Sequence, residues 1–190
     1  MPYYSKQVFI FACSGRPLTG TFPKVRHKYS NIMEFSEVIA KRHSVRNYTG
    51  AEVEREVLDK IIDAANTAPS SRNCKSSAFL IIEDKDTLAA ISEMRVSGSG
   101  FVKDASAAIV VMGDSEMTEM WIENSAISAT FIQLAATAFG LGSCWVQVRG
   151  RLRDKGDASK GTAEEYLRGL LGIKERYSVL CVVALGYEAE

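Results

Sequence analysis

Residues 116–139 constrain the fold of this chain more than any other segment, because they predict a long helix that is apolar on more than one face. Its other positions are rich in Ala, Ser and Thr, whose small side chains let helices approach closely. A helix that is apolar all round must be buried on several sides. In a chain of only 190 residues, this favours a helix shared with a second copy of the chain. The large apolar residues of the segment are Met117, Met120, Trp121, Ile127, Phe131 and Leu134.

The composition is that of an ordinary globular protein with a sizeable core, since 46% of the residues are hydrophobic and 24% are charged. The formal net charge is zero, so no overall field favours nucleic acid or an anionic membrane. No apolar run approaches the length of a membrane span, and residues 8–13 are too short for the apolar core of a secretory signal. We therefore expect neither a nucleic-acid partner nor a membrane partner.

The four cysteines, Cys13, Cys74, Cys144 and Cys181, are far apart and form no CxxC pair. Three of them lie within or beside apolar segments, as buried free thiols do. Free thiols are typical of a reducing compartment, so we expect a cytoplasmic protein. The chain has only two histidines, and we expect no metal site.

The charge is unevenly distributed along the chain. The first 32 residues carry five bases and no acid, which leaves 18 bases against 23 acids, a net charge of −5, for the rest. They also hold three of the four prolines and show no sustained hydrophobic period. We expect residues 1–32 to be a basic N-terminal arm that is either partly disordered or ordered against a second subunit, and residues 33–190 to be the folded domain.

From residue 33 onward the hydrophobic pattern is regular. It predicts a helix that ends near His43, with Phe35, Val38 and Ile39 on one face. It then predicts a helix that begins at a capping box, Thr49-Gly50-Ala51-Glu52, and stops before Pro69. Strands and helices alternate without the regular rhythm of βαβ units. The pattern predicts strands at 78–82, 107–112, 143–148 and 177–185, and shorter helices at 86–94 and 163–171.

Three polar segments are candidates for a binding site. Arg42-His43-Ser44-Val45-Arg46, which we call the cradle segment, offers two guanidinium groups, a hydroxyl and nearby backbone N–H groups to an anion such as a phosphate. The alternative is a solvated basic helix end that complements the helix dipole.

The other two candidates are the serine turn, Ala68-Pro69-Ser70-Ser71-Arg72-Asn73, and the glycine segment, Gly140-Leu141-Gly142-Ser143-Cys144-Trp145. The serine turn offers hydroxyls and an amide to a flat polar ligand, and the glycines permit a ligand to touch the backbone. Taken alone, each is also an ordinary turn. No P-loop, HExxH or GxSxG motif is present, and the GxG is too short for a dinucleotide fingerprint.

In this order, the three segments resemble the nitroreductase family of FMN-dependent NAD(P)H oxidoreductases. The resemblance runs from about residue 33 to residue 186, and residues 101–105 and 134–136 contribute to it. It implies an α+β fold with a central, mostly antiparallel sheet between helical layers. It also implies an intertwined homodimer with two FMN sites at the interface, which agrees with the apolar helix described above.

The resemblance assigns the site residues by position. Arg42 and Ser44, with His43 between them, are expected at the FMN phosphate, and Arg46 near N1 and O2 of the flavin ring. The partner subunit is expected to supply Pro69, Ser70, Ser71 and Asn73. The backbone of Gly142, Ser143, Cys144 and Trp145 is expected against the ring. No residue is expected to be catalytic in its own right, because the flavin N5 carries the chemistry and Arg46 stabilises charge.

The implied activity is NAD(P)H-dependent reduction of quinone-type or nitroaromatic acceptors by ping-pong hydride transfer. The alternatives are a relative with different flavin chemistry and a non-catalytic protein that holds a flavin. Two departures from the family pattern bear on this choice. Lys75-Ser76-Ser77 replaces the usual Gln-Pro-Trp. The chain has Tyr187-Glu188-Ala189-Glu190 where many members have a basic residue for the phosphate, so we expect either weaker phosphate binding or a substitute base, Arg149 or Arg151.

Overall fold

The computed structural model describes residues 33–190 together with the backbone of a strand at Ile10–Ala12. Its centre is a five-stranded sheet in the order β1-β2-β3-β5-β4, and every pairing between these strands is antiparallel. This confirms the predicted mostly antiparallel sheet. The strands are β1 (Ile10–Ala12), β2 (Ser77–Ile82), β3 (Ala107–Asp114), β4 (Gly142–Gln147) and β5 (Tyr177–Gly186).

Helices cover both faces of the sheet, so the predicted α+β architecture with helical layers is also confirmed. One core cluster joins α2 and α4 to one face of the sheet, and a second joins α3 and α5 to the other. Every residue of β3 is buried, because this strand lies in the middle of the sheet between both layers. The helices are α1 (Phe35–Lys41), α2 (Arg55–Thr67), α3 (Lys85–Ser92), α4 (Trp121–Ala138) and α5 (Ala163–Leu171).

The capping box predicted at Thr49 is wrong. The helix α2 begins six residues later at Arg55, and its N-cap residue Glu54 makes no side-chain cap. Thr49 is instead held in an extended segment, because its N–H donates to the carbonyl oxygen of Tyr187 at 3.0 Å. The capping box of this chain is at Thr162 and Glu165, where α5 begins.

The helix α4 begins at Trp121, later than the sequence pattern predicts, because Asp114 organises the residues before it. The Asp114 carboxylate accepts hydrogen bonds from the backbone N–H groups of Glu116 (3.2 Å) and Met117 (3.1 Å), which form a turn. The α4 residues that pack on the sheet are mostly small or polar, whereas Ile127 is 37% exposed. Within one subunit, the small face of α4 is therefore inside and much of its large apolar surface is outside.

The helix α1 adds to this exposed apolar surface. It packs against α4, and of the three residues predicted to share its apolar face only Val38 is buried. Phe35 is 71% exposed and Ile39 is 51% exposed. We call Phe35, Ile39, Met117, Met120 and Ile127 the apolar surface.

Of the N-terminal arm, only β1 is described, and it pairs with β2 at the edge of the sheet. The rest of the arm, including Cys13, lies outside the described residues. Cys74, Cys144 and Cys181 are free thiols, as predicted. Within the described part of the chain, no helix is long and apolar enough to span a membrane.

Candidate functional site

The fold brings the cradle segment and the glycine segment together. Ser44 forms an isolated parallel bridge with Ser143, and the N–H of Val45 donates to the carbonyl oxygen of Ser143 at 3.0 Å. The segment thereby extends the sheet beyond β4. Val45 is buried in the core, while Ser44 and Arg46 on either side of it are exposed. This alternation presents the hydroxyl and the guanidinium side by side at the edge of the sheet.

Gly142 is required for this close approach. A Cβ atom at Gly142 would lie 2.7 Å from Cγ2 and 2.8 Å from Cβ of Val45, closer than side-chain atoms can approach. Only glycine lets β4 and the cradle segment pack at this distance. Packing inside the subunit is therefore enough to require glycine at position 142, whether or not a ligand touches the backbone there.

Two aromatic side chains contact the cradle segment or the residues beside it. The guanidinium carbon of Arg46 lies 5.8 Å from the centroid of the Phe101 ring, within the range of a cation–π contact. The hydroxyl of Tyr48 donates to the carbonyl oxygen of Val45 at 2.8 Å. Burial raises the pKa of Tyr48 well above its usual value, so it remains a neutral donor. The backbone that carries Arg46 is thus fixed.

Cys144 is a core residue. Its thiol is 1% exposed, and burial raises its pKa, although Arg46 and the hydroxyl of Ser44 oppose that rise. A protonated, buried thiol is a poor nucleophile. Ser44 and Arg46 are therefore close enough to act on the Cys144 thiol, whereas Trp145 packs against the layer formed by α2 and α4.

Arg42 and His43 follow the end of α1. Arg42 is its half-buried C-cap residue, and the Arg42 N–H donates to the carbonyl oxygen of Val38. Nδ1 of His43 lies 2.8 Å from the carbonyl oxygen of Lys41, and Nε2 lies 3.0 Å from a carboxylate oxygen of Glu188. These two contacts raise the pKa of His43, the one to Lys41 most.

Glu188 is a residue of the site that sequence reasoning missed. The tail after β5 pairs with residues 47–49, because the N–H of Ala189 donates to the carbonyl oxygen of Asn47 at 3.0 Å. This pairing places the Glu188 carboxylate against His43 at the edge of the cradle segment. The acidic tail was visible in the sequence, but its contact with residue 43 depends on the order of strands in the sheet.

The proposed substitutes for a basic tail do not lie at the cradle segment within a subunit. Arg149 follows the opposite end of β4 from Ser143, six residues and about 20 Å of extended chain away. Its guanidinium lies 6.0 Å from the ring centroid of Trp121. Arg151 is two residues further on, in the loop before α5. Neither arginine therefore adjoins the cradle segment of its own subunit, and the expectation that one of them replaces the missing base stays a prediction.

The serine turn is not brought to the cradle segment in one subunit. It lies after α2 and contacts α4, where the N–H of Ser71 donates to Oδ1 of Asn124 at 2.8 Å. Pro69 and Asn73 are exposed, and Ser70 and Ser71 are half-buried. Among the described residues, no hydrogen bond joins this turn to residues 42–46. Its use in the same site requires a second subunit, as the resemblance implies.

The cradle segment and its surroundings fit an anionic, flat group with many acceptors. Among the described residues, no carboxylate pairs with Arg42 or Arg46. The hydroxyl oxygen of Ser143 is buried and has no hydrogen-bond partner. Unpaired guanidinium groups and an orphaned hydroxyl are the donors that a phosphate and a flavin ring need. In the same part of the chain, no three His, Cys, Asp or Glu side chains form a metal-binding group.

Comparison with known proteins agrees with the fold. The model of the nitroreductase family matches residues 39–98 and 93–187. A protein of Methanothermobacter thermautotrophicus that bears the name NADH dehydrogenase/NAD(P)H nitroreductase is 35% identical over 161 residues, 83% of this chain and 79% of that protein. A protein of Archaeoglobus fulgidus with the same name is 35% identical over 158 residues, 81% of this chain and 85% of that protein.

A solved structure also agrees with this fold. An FMN-dependent nitroreductase from Clostridium difficile R20291 superimposes with a TM-score of 0.76 at 42% identity, covering 80% of this chain and 87% of that one. The five-stranded antiparallel sheet between helical layers is therefore a nitroreductase-like α+β fold. The chain belongs to the nitroreductase family.

Proposed function

We propose that this protein is an FMN-dependent oxidoreductase that takes electrons from NADH or NADPH and passes them to a small organic acceptor of the quinone or nitroaromatic type. The observation that carries the proposal is the row of donors at the sheet edge. Ser44 pairs with Ser143 of β4, Arg42 precedes it at the end of α1 and Arg46 follows it, and among the described residues no carboxylate forms an ion pair with either arginine. The names of the relatives, which include an FMN-dependent nitroreductase and an FMN reductase, support the choice of FMN.

Each residue of the cradle segment has a distinct role in this proposal. Arg42 and Ser44 hold the phosphate by charge-assisted and hydroxyl hydrogen bonds. Arg46 would hold the pyrimidine edge of the flavin, where a fixed positive charge favours the reduced, anionic ring. Phe101 limits the positions that the Arg46 guanidinium samples. FMN, when bound, supplies hydride transfer at N5, so the chain needs no acid–base residue of its own.

The second half of the site comes from a partner subunit. The apolar surface of α1 and α4 is exposed in one subunit, and a homodimer would bury it. In this arrangement Pro69, Ser70, Ser71 and Asn73 of one subunit meet the cradle segment and Gly142–Trp145 backbone of the other. We expect ping-pong kinetics, because the nicotinamide and the acceptor would bind in turn at the same site.

We assign the activity to residues 33–190 and treat residues 1–32 as an accessory basic arm. Three free thiols support a cytoplasmic location. The acidic tail at Glu188 makes the phosphate end of the site less positive than in relatives with a basic tail. From the cradle segment and the serine turn, we expect each subunit to bind one FMN non-covalently.

The experiment that tests the proposal is flavin analysis followed by anaerobic reduction. Acid release and chromatography of the purified protein should yield FMN. NADH or NADPH should then bleach the bound flavin without oxygen, and quinones or nitroaromatic compounds should restore its colour. Recovery of FAD, or of no flavin after incubation with excess FMN, would refute the proposal. Bound FMN that neither nicotinamide reduces would favour a relative with different chemistry or a flavin-holding protein.

A further inference from the structure

The serine turn leads into a stretch of backbone that non-glycine residues rarely adopt. Arg72, Asn73 and Lys75 have φ angles of 51°, 54° and 51°, all in the left-handed region. Side chains with a Cβ atom are strained there, and such a conformation persists only where surrounding contacts hold it. The backbone bonds inside the turn run from the N–H of Asn73 to Ser70 and from the N–H of Cys74 to Ser71.

The first contact that holds this stretch is a buried amide on α4. Asn124 is 2% exposed, and its Oδ1 accepts the Ser71 N–H at 2.8 Å. Its Nδ2 donates to the hydroxyl of Ser76 at 2.9 Å and contacts Sγ of Cys74 at 3.5 Å. A single side chain therefore ties the beginning of the strained stretch to its end.

The second contact is the Lys75 side chain, which reaches back to the end of α2. Its Nζ donates to the carbonyl oxygens of Ala68 at 2.9 Å and Asn66 at 3.2 Å, while its backbone N–H donates to the hydroxyl of Ser70 at 2.9 Å. Helix-terminal carbonyls lack partners within their own helix, and a cation is the favourable group there. The ammonium of Lys75 thus caps α2, while its backbone N–H closes the serine turn.

We propose that Asn124 and Lys75 are positioning residues that hold the serine turn in its flavin-binding conformation in each subunit, before the partner subunit or the flavin arrives. This inference rests on the proposed function, in which the turn reaches across the interface. A preformed turn spares the binding step the cost of ordering it. Because Asn124 belongs to α4, the same amide couples the interface helix to the flavin contacts.

The test compares two variants with a matched control, using the full-length FMN-bound protein. Asn124→Ala removes the tie across the turn, and Lys75→Met removes the ammonium but keeps the aliphatic stem. The control is Ser125→Ala. Ser125 is the next residue of α4, is fully buried and donates to the carbonyl oxygen of Met112 at 3.1 Å, away from the turn.

The measurements are the FMN dissociation constant of the folded dimer and the visible circular dichroism of the bound flavin. A merely structural role would lower thermal stability without changing either quantity. We expect Asn124→Ala and Lys75→Met each to raise the dissociation constant about tenfold and to alter the flavin dichroism. Ser125→Ala should leave both at the parent values while losing comparable stability.

The outcomes separate this inference from the proposed function. If the parent binds FMN and Asn124→Ala behaves like Ser125→Ala in both measurements, the positioning role is refuted and the proposed function stands. If Asn124→Ala does not fold, Lys75→Met decides the question by the same two measurements. If the parent binds no FMN at saturating concentration, both the proposed function and this inference fail.

Discussion

Both ring nitrogens of His43 face acceptors: Nε2 lies 3.0 Å from a carboxylate oxygen of Glu188, 145 residues away in sequence, and Nδ1 lies 2.8 Å from the carbonyl oxygen of Lys41. A neutral imidazole has one N–H and satisfies one of them, whereas an imidazolium satisfies both. The pair therefore favours the imidazolium form of His43 and attaches the tail after β5 to the cradle segment.

The first prediction concerns the pH dependence of this contact. The pKa of His43 is raised above 6.5 by the Lys41 carbonyl first and by Glu188 second. Because folding raises the pKa, the stabilising contribution is complete below pH 6.5 and is lost as the pH rises through the pKa of folded His43. In an NMR titration of the imidazole, Glu188→Gln should lower the pKa of His43 only in part. Glu190→Gln is the control, and an unchanged pKa in Glu188→Gln would contradict the role of Glu188.

The second prediction separates the two arginines. If Arg46 lies at N1 and O2, it interacts more strongly with the reduced, anionic flavin than with the oxidised ring, by about 1.5–3 kcal/mol for a charge-assisted hydrogen bond. Arg46→Ala should then lower the two-electron potential by roughly 30–60 mV. Arg42→Ala should weaken both redox states equally, because the phosphate charge does not change on reduction. Spectroelectrochemical titration of both variants measures this potential. Equal shifts of the potential in Arg46→Ala and Arg42→Ala would disprove the separate roles of the two arginines.

The third prediction tests the packing of Gly142 against Val45. A methyl group at Gly142 would overlap Val45 at 2.7 Å, so Gly142→Ala should separate β4 from the cradle segment. Overpacking of this kind costs about 1–3 kcal/mol, measured by thermal or denaturant unfolding, and FMN affinity should fall with it. The control is Gly169→Ala in α5, where a Cβ meets nothing within 4 Å. That change should raise stability by about 0.5–1 kcal/mol, and equal effects at both positions would contradict the argument.

The fourth prediction concerns assembly. Phe35 and Ile127 are 71% and 37% exposed on the apolar surface, so Phe35→Glu or Ile127→Glu should convert a dimer to monomers in multi-angle light scattering. Val96 is 72% exposed in the loop after α3, on the other side of the sheet, and Val96→Glu should leave the dimer intact. A monomeric parent at micromolar concentration would refute the dimer.

The elements whose signals are local were predictable from the sequence. The predicted bounds of α5 match the structure, because its apolar period is bounded by Thr162 and by Gly172, which has a φ of 64°. The strands β2, β3 and β5 were also predicted within two residues, since continuous apolar runs are typical of strands buried on both faces. The order of the strands in the sheet was not predictable from such local signals. Which residues of α4 face the sheet was not predictable from them either.

The parts that failed depend on distant contacts. Thr49 matches a capping box by spacing, but its pairing with Tyr187 keeps the backbone extended. The left-handed backbone at Arg72, Asn73 and Lys75 has no glycine to signal it and depends on Asn124, about fifty residues later. The adjacency of Ser44 and Ser143 likewise follows from the sheet order and not from any local pattern.

The order of strands also governs when the site can form during synthesis. The strand β4 pairs with β5, and β5 lies between β3 and β4 although it is the last of the five along the chain. Until residues 177–186 have emerged from the ribosome, β4 has no strand on which to dock, and Ser143 cannot support the cradle segment. Contacts so distant in sequence slow folding. The pairing of Ser44 with β4 is therefore complete only after β5 has joined the sheet, so a nascent chain that stalls before β5 carries Arg42 and Arg46 without the sheet edge that positions them.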